Sequence, residues 1–212
     1  MIIPVFIFVE VFKASTFLSM PRVKLFDENE VLTKAMNLFW KQGYSATSVQ
    51  DLVTHLGINR ASLYDTFGDK EQLFKKSFEL YRKTNLEGLI QFFDSHPNVE
   101  KGFSELFDIA IHQAILDKDL KGCFVVNMAT ELIPKDKKLL EVIESNKRDF
   151  ENLFFEYLKK GKDNGQLKTQ QDLMSLASFL FLLYNGLKVI SKINPKKEEL
   201  KRSIDLALTL VF

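Results

Sequence analysis

Between residues 59 and 66 one short stretch carries Asn59, Arg60, Ser62, Tyr64, Asp65 and Thr66, with small Ala61 and a single large apolar residue, Leu63, among them. On a helix, Leu63 and Phe67 (i, i+4) turn inward and leave a polar side of amide, guanidinium and hydroxyl donors. Such donors are what direct readout of DNA requires, because base edges and phosphate oxygens are recognised by hydrogen bonds. The rest of the chain offers no competing chemistry. It has no Walker loop, no dinucleotide glycine fingerprint, no Gly-x-Ser-x-Gly elbow and no His-Glu-x-x-His. His55, His96 and His112 are scattered and Cys123 is the single cysteine, so neither a metal site nor an internal disulfide is expected. No catalytic group and no cofactor are assigned.

The elements that must position those donors are helices. Asp27 with Glu30 reads as a capping box, Val31, Ala35, Leu38 and Phe39 recur at helical spacing, and Gly43 stops a helix over 28–42. Thr47 with Gln50 reads as a second box, opening a short helix to about Leu56. Gly57-Ile58 turns the chain, Asn59 caps a helix over 60–67, and Asp69 with Gln72 opens a long helix to about Phe93. Two short helices joined by a tight turn are helix-turn-helix geometry, whose second helix enters the major groove. Generic pairs of helices share this pattern, so a helical interaction protein without DNA binding is the alternative that salt-dependent duplex binding separates.

Further along, Asp94-Ser-His-Pro-Asn98 is a linker, and helices are expected near 99–117, 122–133, 136–163, 171–192 and 196–211. The fold class is therefore all-α, with a helix-turn-helix unit at 20–68 and a larger helical body at 69–212. Residues 1–19 form an apolar segment unlike the rest. Its uncharged run before Glu10 is nine residues, well short of the ~20 a membrane span needs. It reads as an extension ahead of a start at Met20, with a short hydrophobic anchor as the alternative. The helix at 171–192 is apolar on every face, although Asp172 and Lys188 bracket only fifteen uncharged residues. Burial against its own core and a second subunit explains this better than a membrane does, and Leu180 with Leu183 are the expected contacts of a homodimer. Balanced charge (29 basic, 28 acidic) rules out a basic coat, and residues 20–70 hold six side chains of each sign. Affinity for DNA cannot then rest on bulk charge. One cysteine suits the cytoplasm.

Residues 28–74 resemble the amino-terminal domain of the TetR family of one-component regulators. The likeness runs through Ala35, Leu38-Phe39, Gly43-Tyr44, Thr47-Ser48-Val49, Leu52-Val53, Leu56-Gly57-Ile58, Ser62-Leu63-Tyr64, Phe67-Gly68, Lys70-Glu71 and Leu73-Phe74. It implies a repressor that binds a pseudo-palindromic operator as a homodimer and is released by a small molecule. Thr47, Tyr64, Thr66 and Lys70 would hold phosphates, while Asn59, Arg60 and Ser62 would face bases; Arg60 suits the O6/N7 edge of guanine. Thr66 departs from the histidine often found there. Asp65 must face away from DNA, pair with a cation, or accept from a cytosine N4. The resemblance also implies an inducer pocket in the body, with Phe103, Phe107, Phe124, Phe154 and Tyr184 as candidate walls and plain core packing as their other role. Gly122-Cys123-Phe124, with Asn127 and Glu131, is similar to a glycine-cysteine motif in a branch of these regulators, some of which sense electrophiles or oxidants. Cys123 beside Lys121 at a helix N-terminus would then be a sensor; a buried, inert cysteine is the alternative.

Overall fold

A computed structural model describes residues 26–133, 138–193 and 196–212. The segment 1–19 and the break at Asn194-Pro195 lie outside the described residues. Among those residues the chain is all-helical: α1 Glu28–Gln42, α2 Val49–Leu56, α3 Arg60–Phe67, α4 Lys70–Asp94, α5 Val99–Leu116, α6 Phe124–Leu132, α7 Lys138–Asp163, α8 Leu173–Ile190 and α9 Lys197–Thr209.

Local capping chemistry sets the boundaries. Asp27, Asn59 and Asp69 each accept backbone N–H bonds from the first turns of α1, α3 and α4. The second box is shifted by one residue from the expected place. Ser48 is the cap of α2, its hydroxyl accepting from Asp51 N–H at 3.0 Å while Asp51 accepts from Ser48 N–H at 2.8 Å. Thr47 instead turns inward, fully buried, and donates its hydroxyl to the Gly43 carbonyl at 2.6 Å. Gly57 adopts a left-handed conformation (φ 68°), which makes the tight turn between α2 and α3 accessible without a Cβ clash.

Two cores share α4. Leu73, Phe74, Phe78 and Tyr81 join α1–α3, whereas Leu89 and Phe93 join α5, α7, α8 and α9. At 25 residues, α4 spans roughly 37 Å. The first core contains a surprise. Cys123, Phe124, Val125, Met128 and Leu132 of the α6 region pack into it rather than into the second core. Three short helices cannot bury enough apolar surface by themselves, and α6 supplies the missing wall. On the other side of α4, Arg82 reaches Asp149 of α7 at 3.3 Å, tying the long helix to the body.

The outer helix α8 buries Leu176, Ala177, Leu180 and Leu187. Leu180 is thus a core residue and not the expected subunit contact, while Leu183 is half-buried at the edge of the exposed side. The exposed side of α8 carries Ser175, Phe179, Leu182, Gly186 and Val189, with Ile193 just beyond. Leu206 and Leu210 lie exposed on the neighbouring α9 region. Among the described residues α8 alone is long and apolar enough to cross a membrane, yet its Leu180 side is closed within the helical body.

Candidate nucleic-acid interface

Helix α3 is anchored by Leu63 and Phe67, both buried, and by the Asn59 cap. The anchoring holds its other side to solvent. Arg60 and Tyr64, one turn apart, are exposed; Tyr64 is 45% accessible, unusual for a tyrosine that only covers a core. Ser62 and Thr66 are half-buried on the flank. The Asn59 side-chain oxygen is committed to Ser62 N–H at 2.8 Å, which leaves only its amide NH₂ for a base. Asp65 is exposed and has no ion-pair partner among the described residues, so the pairing option does not apply to it.

Lys70 stands at the start of α4, but it is not an ordinary solvated lysine. Its Nζ lies 4.3 Å from the centroid of the Tyr44 ring. Burial pulls its pKa below the usual lysine value, while Glu131 and Asp51 oppose that shift. A cation held on an aromatic face near the α2 N-terminus suits a phosphate oxygen. Of the phosphate candidates Tyr64, Thr66 and Lys70 therefore remain at the surface. Thr47 does not: its burial and its bond to Gly43 correct that assignment, and exposed Ser48 occupies the helix entrance instead.

Sequence reasoning missed the group that fixes this entrance from outside. Glu131, on α6, accepts from Tyr44 N–H at 3.1 Å and from Ser45 N–H at 2.6 Å. It caps the loop between α1 and α2 from a position 87 residues beyond Tyr44 in the chain. Gly43 beside it has φ 85°, and a Cβ there would come within 2.8 Å of Glu131 Oε2. The backbone conformation there (φ 85°, ψ 162°) calls for glycine, and an added Cβ would also push the Glu131 carboxylate aside. Nearby, Trp40 Nε1 donates to the Gly122 carbonyl at 3.2 Å and Lys41 pairs with Asp119 at 2.9 Å. No local pattern announces contacts over such separations, although Ser48-Val-Gln-Asp51 did fit a capping box.

The expected pocket aromatics do not gather around a void. Phe103, Phe107 and Phe154 are fully buried core side chains, with the Phe103 and Phe154 rings 5.3 Å apart edge to face. Phe124 belongs to the other core, and Tyr184 packs on the rims of Phe107 and Phe154. Among the described residues most phenylalanines fill the interior, though Phe179 is exposed. Cys123 sits at the N-cap of α6, as the sequence suggests, but only 7% of it is accessible. Lys121 Nζ does not attend the thiol; it lies over the Trp40 ring, 4.8 Å from the centroid.

A capped, solvent-facing recognition helix on a helical body defines a helix-turn-helix DNA-binding regulator. Residues 31–76 match the family described as "Bacterial regulatory proteins, tetR family", and residues 105–207 match "Tetracyclin repressor-like, C-terminal domain". The chain is 31% identical over 193 residues to the uncharacterized HTH-type transcriptional regulator YezE of Bacillus subtilis, covering 91% of this chain and 100% of that one. It is 30% identical over 191 residues to the HTH-type transcriptional repressor ComR of Escherichia coli, covering 89% and 90%. In structure it is similar to a cysteine mutant of the TetR family regulator CifR complexed with 26-bp operator DNA. That match has a TM-score of 0.79 at 27% identity and covers 91% of this chain and all of the other. This protein belongs to the tetR family of bacterial regulatory proteins. It is a DNA-binding transcriptional regulator, and the alternative of a helical protein without DNA binding falls away.

Proposed function

We propose that this protein is a cytoplasmic repressor that binds a pseudo-palindromic operator as a homodimer and leaves it when a small molecule occupies the helical body. The reading unit ends at residue 68 and the helical body begins at residue 69. The observation that carries it is the outward face of α3, where Arg60 and Tyr64 stand exposed over a helix locked by Leu63, Phe67 and the Asn59 cap. In the mechanism, Arg60 and Ser62 read base edges with the Asn59 amide assisting, while Tyr64, Thr66 and Lys70 hold phosphates. A dimer presents two copies of α3 at a fixed spacing, and a ligand that tilts α4 changes that spacing and forfeits simultaneous docking. ComR, a repressor by name, and CifR on its operator support this reading.

Gel-shift titration against salt tests it. The Tyr64→Ala variant is expected to bind all duplexes more weakly by about 1–3 kcal/mol, with the salt slope unchanged because no cation is lost. The Arg60→Ala variant should lose a similar amount on the operator and relax preference at one base position. Unchanged operator binding by both variants would overturn the assignment of α3.

For Cys123 we favour the packing role over the sensor role. Its thiol lies within the core shared by α4 and α6, so a reagent reaches it only when the first turn of α6 opens. Native-state alkylation should be slow and should accelerate steeply in mild urea. Labelling as fast as that of a free thiol in the folded protein would restore the sensor.

A further inference from the structure

A cavity of about 860 Å³ opens where the two cores meet, between α1, the middle of α4, the α5–α6 connection and the end of α8. Its size is that of a small-molecule site. Four lysines border it, Lys118, Lys121, Lys188 and Lys192, against two carboxylates, Asp117 and Asp119. Both carboxylates are engaged. Asp117 Oδ2 accepts from the N–H groups of Lys121 at 2.6 Å and Gly122 at 3.3 Å, and Asp119 pairs with Lys41 at 2.9 Å.

Among the described residues none of the four lysines makes an ion pair within 4 Å, although Lys121 also acts on the Asp119 carboxylate through space. Lys121 rests on Trp40, Lys188 Nζ lies 4.1 Å from the Tyr184 ring centroid, and Lys192 donates to Asn127 Oδ1 at 3.2 Å. Burial works against the Lys188 charge, Tyr184 and Cys123 work for it, and its pKa ends above the ordinary lysine value. Lys118 and Lys192 stand exposed at the mouth while Lys121 and Lys188 are half-buried, and an anion placed among them gains cationic partners that are screened least at the two inner positions. The rest of the wall is mixed: Met36, Ala110 and Ala114 stand beside the rings of Trp40 and Tyr81 on one part, and Thr84, Asn85, Gln113 and Ser191 add polar groups on another.

We propose that this cavity is the effector site of the regulator and takes an organic anion with an apolar body, a carboxylate of aryl-alkyl or medium-chain aliphatic type. The proposal rests on the regulator reading above and adds the chemistry of the effector. The site joins moving parts: Met36 and Trp40 belong to α1, next to the reading helices, while Lys188 belongs to α8. At roughly 100° per residue, Lys188 projects well away from the exposed Leu182 side, so a second subunit on that side leaves the cavity open. A ligand that draws the lysines inward presses on α1 and on α8 at once.

Trp40 is the single tryptophan and lines the cavity, so its emission reports occupancy directly. The full-length protein is titrated with 4-phenylbutyrate and octanoate, and in parallel with the neutral 4-phenylbutanamide and octanamide. Both carboxylates should change Trp40 emission saturably, and the amides should bind at least about tenfold more weakly, the loss of one charge-assisted contact. The exposed double variant Lys118→Gln/Lys192→Gln should weaken the carboxylates by about tenfold while leaving the amides unchanged. No saturable response to either carboxylate at millimolar concentration, or an equal response to acids and amides, overturns the anion site. Duplex binding by the unliganded protein is measured on the same preparation. Its absence would sink the regulator reading, whereas intact duplex binding without a carboxylate response sinks this proposal alone.

Discussion

A Leu182→Glu variant is expected to sediment as a folded monomer and to lose about 100-fold or more in operator affinity. Leu182 is 71% exposed on α8 and lies in line with Ser175, Phe179, Gly186 and Val189, a stripe repeating every three to four residues. Leu206 and Leu210 widen it from the α9 side. A contiguous apolar patch of this kind on a soluble helix marks a subunit contact, and its small members let a second helix approach closely. Twofold symmetry would bring two copies of residue 182 to the same interface, so one substitution buries two like charges without partners. The protomer should be unharmed, since the side chain contributes little to its own core. The loss on DNA follows from linkage, because a dimer binds its second half-site at high effective concentration, worth about 10²–10⁴ in avidity. Sedimentation at micromolar concentration and operator titration read the two effects separately. A variant that remains dimeric, or a monomer with full operator affinity, would remove the dimer from the account.

Phe124→Ala should destabilise the protein by about 3–5 kcal/mol, a large share of the 5–15 kcal/mol typical of a folded domain. The ring is fully buried, with Phe78 and Tyr81 each at 5.3 Å, Trp40 at 6.1 Å and Phe74 at 6.2 Å. It fills the one place where α1, α4 and α6 meet, so its removal leaves a cavity that rigid neighbours on three helices cannot close. The melting temperature should fall by on the order of 10 °C, whereas Phe124→Leu, which keeps most of the volume, should cost under about 1.5 kcal/mol. A loss below about 1 kcal/mol for the alanine variant would show that α6 does not support the reading unit.

How far the sequence could be read depended on the range of the interaction. Caps announce themselves within four residues, so Asp27, Asn59 and Asp69 were legible and fixed three helices; the one-residue error at Thr47 arose because Ser48-x-x-Asp51 and Thr47-x-x-Gln50 offer overlapping boxes. The inward turn of Leu63 and Phe67, and hence the outward face of α3, followed from spacing alone. What distinguished α6 from any other amphipathic helix was not local. Its partners Trp40 and Tyr44 lie more than eighty residues away, and periodicity says which face is apolar without saying what covers it. For the same reason Leu180 and Leu182 looked alike in an all-apolar helix, although one is core and the other surface. The phenylalanines were likewise visible as residues but not as a packed interior.

Regulators with a separate reading head invite exchange of heads, with the seam cut at the α3–α4 junction. In this chain that seam would run through a joint. The carboxylate that caps Tyr44 and Ser45 is carried by the body, on α6, and fits against a glycine whose positive φ disfavours any side chain. A hybrid bearing only the transplanted head would set Glu131 against a foreign loop and leave the native loop to be satisfied by water. Grafts that carry α6 along with the head, or recipients whose own α6 places a carboxylate at the same spot, are the combinations that should retain both halves of the switch. The portable module is discontinuous, with its last piece lying far downstream of the part that touches DNA.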